Sequence, residues 1–319
     1  MDLSSLGAAS AGVWTRCQAL AVTTRGRIAA SLRDGYWQQP YPSVYADGGS
    51  ELAPEQRGFA AVLASGGAEQ DPAVPRAVAA GRTAARIWDL PLIDDDDPAT
   101  GAREVVCDDI VAASSRTTRY GDLVLARHQW RLDSADVQQR TSGLLVTTVR
   151  RTLFDCAGLL SFEATVCALD AALQRRLITP SELAAEARDR RGMPGAPAFR
   201  RAVAASDGRS ESPAETLTRL LLLPHLPGLV PQVELWDQAA RLVARFDLGD
   251  EQARFAVEAD GKRGHAGSQM VAKDRRRDRR SVSFGWATER VTWFELRRQQ
   301  AALTRRVLGA YADHVRTDA

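Results

Sequence analysis

The 319-residue sequence has no run of about eighteen apolar residues, so no membrane-crossing helix is predicted. Cysteine is scarce: Cys17, Cys107, Cys156 and Cys167 form no C-x-x-C pair and do not gather with the four histidines. That spacing excludes a disulfide framework and a zinc knuckle, and makes a reducing cytoplasm the expected compartment. The opening residues, Met-Asp-Leu-Ser-Ser-Leu-Gly, hold no basic stretch followed by an apolar one, so no signal peptide is expected. Lysine is almost missing, with Lys262 and Lys273 the only two among 42 basic residues. A chain that is 45% hydrophobic and 26% charged is not disordered along its whole length.

What is present is long enough for two or three domains at about 100–200 residues each. The net charge of +2 conceals an asymmetry. Residues 260–319 carry 14 Lys or Arg against 7 Asp or Glu, a net of +7, which leaves −5 for the rest. A basic end suits phosphate binding, although the arginine preference of a GC-rich genome, which the many alanines also suggest, would leave the same mark.

Near the N-terminus, residues 3–9 read as a short amphipathic helix, broken at Gly12. Thr15-Arg16-Cys17-Gln18 fits a capping box opening a helix with Cys17, Leu20 and Ala21 on its apolar face. Thr24 caps a second helix that turns Ile28, Leu32 and Ala29 inward and leaves Arg25, Arg27 and Arg33 outside. After Gly35, residues 36–45 read as a two-stranded ribbon. Helix, turn, helix and ribbon in about 45 residues outline a winged helix-turn-helix, whose second helix enters a DNA major groove; a three-helix protein-interaction module shares that geometry.

Residues 51–93 read as helical. The acidic run 94–97 before Pro98 is a solvated loop in preference to a metal site. Alternation predicts strands over 104–109 and 122–128, a helical stretch over 149–174, and a helix opened by Thr179-Pro180-Ser181-Glu182. Residues 191–197 and 206–213 are rich in Gly, Pro and Ser, and the second is the expected linker.

Gly12-Val13-Trp14-Thr15-Arg16, the basic second helix and the Tyr-rich wing resemble the N-terminal domain of AbiEi-type antitoxins. The segments 82–88 (Arg-Thr-Ala-Ala-Arg-Ile-Trp) and 150–155 (Arg-Arg-Thr-Leu-Phe-Asp) resemble those of long actinobacterial relatives of that family. The resemblance implies a DNA-binding or regulatory role.

Ser212-Pro213-Ala214-Glu215 opens a helix with Leu217, Leu220, Leu221 and Leu223 inside, and Glu215 also reads simply as the capping partner of Ser212. Residues 242–248 read as a strand, 249–251 as a turn and 254–260 as the return strand. Alternation puts Glu258, Asp260 and Lys262 on one face and Phe255, Val257 and Ala259 on the other, with Asp247 near the end of the partner strand. Carboxylates gathered on adjacent strands need a cation or basic groups to neutralise them. A tight turn at 249–252 sets Asp247 opposite Arg254, four residues and about 13 Å short of Glu258, a gap that a bulge, a wider turn or strong twist has to close.

This part resembles the restriction-endonuclease-like PD-(D/E)XK fold and, more closely, the very-short-patch-repair (Vsr) mismatch endonucleases and their relatives. The shared pattern is Arg245-Phe246-Asp247-Leu248, Val257-Glu258-Ala259-Asp260-Gly261, His265, the run 274–278, Gly285-Trp286 and a closing strand over 291–296. The resemblance implies magnesium held by Asp247 with Glu258 or Asp260, a helix Glu at Glu215, and His265 as general acid or base. Position 260 is Asp where E-x-K places lysine, so Lys262 has to supply that charge. Arg275, Arg276, Arg277, Arg279 and Arg280 read as phosphate contacts or as an exposed helix face.

The expected fold class is α+β multidomain: a winged helix-turn-helix over 1–50, an AbiEi-like mixed α/β then helical region over 51–205, and a Vsr-like α/β/α core over 212–319. Two functions stay open. One is a DNA-binding, magnesium-dependent endodeoxyribonuclease; the other is a non-catalytic regulator of AbiEi type, whose nuclease-like domain is a binding platform and whose partner is a cognate toxin. Neither involves a membrane.

Overall fold

The computed structural model describes residues 10–66, 77–93, 106–260 and 281–317. The fold is mixed α+β and falls into two compact units, residues 1–165 with 178–201 and residues 166–177 with 202–319. Among the described residues no helix is long and apolar enough to cross a membrane.

The first unit opens with β1 (Val13–Thr15), α1 (Arg16–Val22), α2 (Arg25–Arg33), β2 (Trp37–Tyr41) and β3 (Val44–Asp47), the strands forming an antiparallel sheet in the order β1-β3-β2. Thr15 and Gln18 close the expected capping box on α1, and Thr24 accepts from Arg27 N to cap α2. The inward face of α1 differs from expectation. Ala19 is buried, whereas Cys17, Leu20 and Ala21 are exposed, and on α2 Ala29 is exposed beside buried Ile28. The reason is the small core that both helices cover: Trp14, Ala19, Ile28 and Tyr45, flanked by Val22, Leu32 and Trp37, meet on the i, i+3 side. Trp14 and Trp37 pack edge to face with ring centroids 5.0 Å apart.

Residues 51–93 are not helical throughout. α3 (Pro54–Leu63) and α4 (Gly81–Ile87) flank a strand, β4 (Ala77–Ala80). Alanine favours helix by propensity, but all four β4 residues are buried at the centre of a six-stranded sheet, where pairing on both sides decides the conformation. That sheet has the order β6-β7-β5-β4-β9-β8, with β5 (Val106–Ala112), β6 (Arg116–Tyr120), β7 (Leu123–His128), β8 (Val137–Gln139) and β9 (Leu145–Thr147). The long helical stretch is two helices, α5 (Val149–Leu159) and α6 (Phe162–Gln174), followed by α7 (Pro180–Asp189) and α8 (Ala196–Ala205). Thr179 and Glu182 form the capping box at α7.

The second unit carries a four-stranded sheet in the order β10-β11-β12-β13, with β10 (Val230–Trp236), β11 (Leu242–Asp250), β12 (Phe255–Asp260) and β13 (Ala287–Thr292). The first two pairings are antiparallel and β12–β13 is parallel. α9 (Pro213–Leu222) packs on β11 and β12. Its buried leucines are Leu217 and Leu222, while Leu220, Leu221 and Leu223 are half-buried. The expected linker is pinned down: Asp207 N donates to Asp170 Oδ1 at 2.7 Å, and Arg219 of α9 reaches the other Asp170 oxygen at 2.7 Å.

The closing segment 291–296 is half strand and half helix. β13 stops at Thr292, whose side chain accepts from Glu295 N while Glu295 accepts from Thr292 N, a capping box that starts α10 (Trp293–Arg298). α11 (Gln300–Thr317) ends the described chain. Trp286 stacks on Phe246 at 4.6 Å in the core of this sheet.

Candidate functional site

The site begins at the start of α9. Ser212 caps the helix by accepting from Glu215 N at 3.2 Å, and Glu215 folds back to take hydrogen bonds from Ser212 Oγ and Glu211 N, each at 2.8 Å. Gln232 of β10 donates a further bond to Glu215 Oε2 at 2.9 Å. Burial pushes the Glu215 carboxyl up and nearby Asp247 pushes it the same way; the donors at Glu211 and Ser212 oppose them without cancelling them.

The hairpin that brings Asp247 to this place is longer than the expected one. β11 runs on to Asp250 and the turn occupies 251–254, so the reading of 249–251 as the turn is corrected. Asp250 starts the turn, its Oδ1 accepting from the amides of Gln252 and Ala253 at 3.0 Å each, and Arg254 closes it at φ +50°. Gly249 lies inside the strand, paired with Val230 and Ala256, and a Cβ there would stand 2.9 Å from Val233 Cβ. Leu248 therefore pairs with Val257, and one further step of that register sets Asp247 opposite Glu258. The 13 Å gap does not exist. Asp247 Oδ2 accepts from the amide of Ala259, the residue after Glu258, at 2.8 Å.

Glu258 is buried on β12, and the parallel register places Arg290 of β13 beside it, Nη2 to Oε2 at 3.6 Å. Asp260 is exposed at the strand end, paired with Thr292. Glu215, Asp247 and Glu258 thus come from three elements to one end of the β11–β12 pair. Lys262, His265, Arg275, Arg276, Arg277, Arg279 and Arg280 lie outside the described residues, as does the acidic run 94–97. Among the described residues no group of three or more His, Cys, Asp or Glu side chains stands at metal-holding distance. On α2, Arg25, Arg27 and Arg33 are all exposed, and Arg33 forms an ion pair with its neighbour Asp34 at 2.9 Å.

Sequence reasoning missed Gln232 and Arg290, which carry no motif; only the pairing register shows that they adjoin the acids. It also missed a second cluster, in the first unit. Asp108 and Asp109 of β5 are fully buried. Asp108 accepts from Tyr41 OH at 2.6 Å and from Arg57 Nε at 2.9 Å. Asp109 takes a two-pronged bond from Arg82 at 2.7 and 3.1 Å and meets His128 Nε2 at 2.8 Å. Every oxygen there is matched by a donor, which is how a fold tolerates buried charge.

The chain is thus a mixed α+β protein whose second unit brings buried Glu215 and Glu258 and half-buried Asp247 to one end of a strand pair. No family model matches it. It is 29% identical over 177 residues to two uncharacterised proteins of Mycobacterium tuberculosis, MT2308 of strain CDC 1551 / Oshkosh and Rv2248 of strain ATCC 25618 / H37Rv. Those residues make up 53% of this chain, and the match spans 62% of the length of either relative.

Proposed function

We propose that the chain is a DNA-binding protein whose second unit hydrolyses phosphodiester bonds with magnesium. The observation that supports this best is the β11–β12 register, which sets Asp247 level with Glu258 while its carboxylate bonds to Ala259 N. In this reading the second unit is a restriction-endonuclease-like core of Vsr type, and residues 10–47 are a winged helix-turn-helix whose exposed Arg25 and Arg27 meet DNA phosphates.

The donor set suits magnesium, which keeps most of its waters and takes one or two protein carboxylates together with substrate phosphates. Asp247 and Glu258 supply two such carboxylates, and Asp260 at the strand end is the third candidate. Glu215 has its oxygens engaged by Glu211, Ser212 and Gln232, so it supports the site from behind. When bound, the ion neutralises charge on the scissile phosphate and lowers the pKa of water. The overall reaction adds water across the ester: its oxygen bonds to phosphorus, one P–O bond breaks, and the leaving oxygen takes the proton. Arg290 brings a positive charge to Glu258 from the neighbouring strand, and Lys262 and His265 remain the candidates for supplying the missing lysine's charge and for proton handling.

A non-catalytic regulator is the second reading, favoured by Asp260 in the lysine position and by the ion pair that Arg290 makes with Glu258. The test is incubation of purified protein with supercoiled and mismatch-containing DNA in Mg²⁺, Mn²⁺ or EDTA, beside Asp247→Ala and Glu258→Ala. Nicking that needs metal and vanishes in both folded variants supports the nuclease. Binding that weakens with salt but never cuts in any metal supports the regulator.

A further inference from the structure

Gln232 stands inside β10 at φ +59°, the left-handed region, which costs a non-glycine residue free energy and which a strand does not call for. On either side the ladder is regular, with Pro231 against Leu248 and Val233 against Phe246. The position missing from the pairing, midway between those two pairs, is Gln232 opposite Asp247. The Gln232 amide makes one hydrogen bond, from Nε2 to Glu215 Oε2 at 2.9 Å, while its Oε1 is shut off from solvent without a donor among the described residues. A strained backbone, a broken pair and a single bond all bear on the same two carboxylates, and such strain persists where the surrounding structure holds it for function.

We infer that Gln232 is a positioning residue of this site: its amide N–H holds the Glu215 carboxylate in place beside Asp247, two acids that repel each other. The inference rests on reading the acidic cluster as a hydrolytic centre. The charged groups facing Glu215 are Asp247 on β11 and Glu211 just before α9, the latter tied to Arg245 at 2.8 Å. Among the described residues the side-chain N–H donor that bonds to Glu215 is the neutral amide of Gln232.

Two variants separate side chain from backbone. Gln232→Gly accepts φ +59° without strain but deletes the side chain with its amide, so the relief of strain offsets the lost hydrogen bond and the thermal midpoint should change little. Gln232→Glu keeps the shape but replaces the N–H donor with a carboxylate oxygen, adding negative charge beside Glu215. Both should lower kcat for nicking about 10- to 100-fold, with KM for DNA held within about twofold. In metal-free protein, the ¹H–¹⁵N signal of the Gln232 side-chain amide, identified by its loss in Gln232→Gly, should lie away from the free-glutamine position and return there in Glu215→Ala. Wild-type nicking rates in Gln232→Gly would overturn the inference. If the wild type cuts no DNA, the nuclease reading falls, and the spectrum alone decides: an amide signal at the free position, or one that Glu215→Ala does not move, removes the positioning role.

Discussion

Asp108 and Asp109 are neighbours on β5, yet each is neutralised by its own donors because adjacent strand residues face opposite sides. Asp109 is the more constrained. Burial pushes its carboxyl up, but the bonds from His128 and Arg82 outweigh that and hold it below the ordinary carboxylate range. A carboxyl depressed on folding stabilises at pH above its unfolded value, about 4, and loses that contribution as pH falls through the folded value. Asp109→Asn should therefore destabilise the first unit by about 3–5 kcal/mol at neutral pH, because Arg82 is left half-paired. Urea unfolding at a series of pH values checks both points: the difference from wild type should shrink below about pH 4. In the second unit, on the proposed nuclease reading, the decisive side chain is Asp247. Asp247→Ala should lose metal-dependent cleavage and keep DNA binding by gel shift; loss of both would indicate a folding defect.

At the scale of elements, side-chain caps start five of the helices, those opened by Thr15, Thr24, Thr179, Ser212 and Thr292, and the last also marks where a strand stops. Thr292 terminates β13 and begins α10 by exchanging hydrogen bonds with Glu295. Thr292→Ala should cost about 1 kcal/mol, measured by thermal or chemical unfolding of the full chain. Close packing sets a second limit, on α3. A Cβ at Gly58 would stand 2.8 Å from Leu144 Cδ2 and 3.0 Å from Ile87 Cδ1, between α4 and the sheet. Helix propensity alone would make Gly58→Ala stabilising by about 1 kcal/mol. Overpacking of about 1–3 kcal/mol opposes it, so a net loss of stability is expected in the same unfolding measurement. The Asp250 turn belongs here too, since its two amide bonds lengthen β11 by the residues that carry Asp247 up to Glu258.

For the whole molecule, the relevant quantity is where the charge lies, since a net of +2 exerts little field of its own. If α2 lies on DNA, Arg25 and Arg27 each neutralise about one phosphate. The double variant Arg25→Ala, Arg27→Ala should then weaken binding and reduce the slope of log K against log salt by about 1.8. An unchanged slope would take α2 out of the interface. Fluorescence anisotropy on a labelled duplex between low and moderate salt makes the measurement.

Reading the chain alone identified what depends on neighbours in sequence. The capping box at Thr15, the cap at Thr24, the helix start at Thr179-Pro180, the ribbon after Gly35 and the acids of β11 and β12 are local patterns, written by hydrogen bonds that span three or four residues, by proline's fixed φ and by alternation along a strand. Tertiary structure decided the rest. It made Ala77–Ala80 a strand against alanine's helical preference, because pairing with β5 and β9 in a buried sheet outweighs intrinsic propensity. It moved the hairpin turn past Gly249, because Asp250 accepts the amides of Gln252 and Ala253 and starts the turn there. It brought Gln232 and Arg290 to the acids through strand register, a relation between segments distant in sequence that no local pattern encodes.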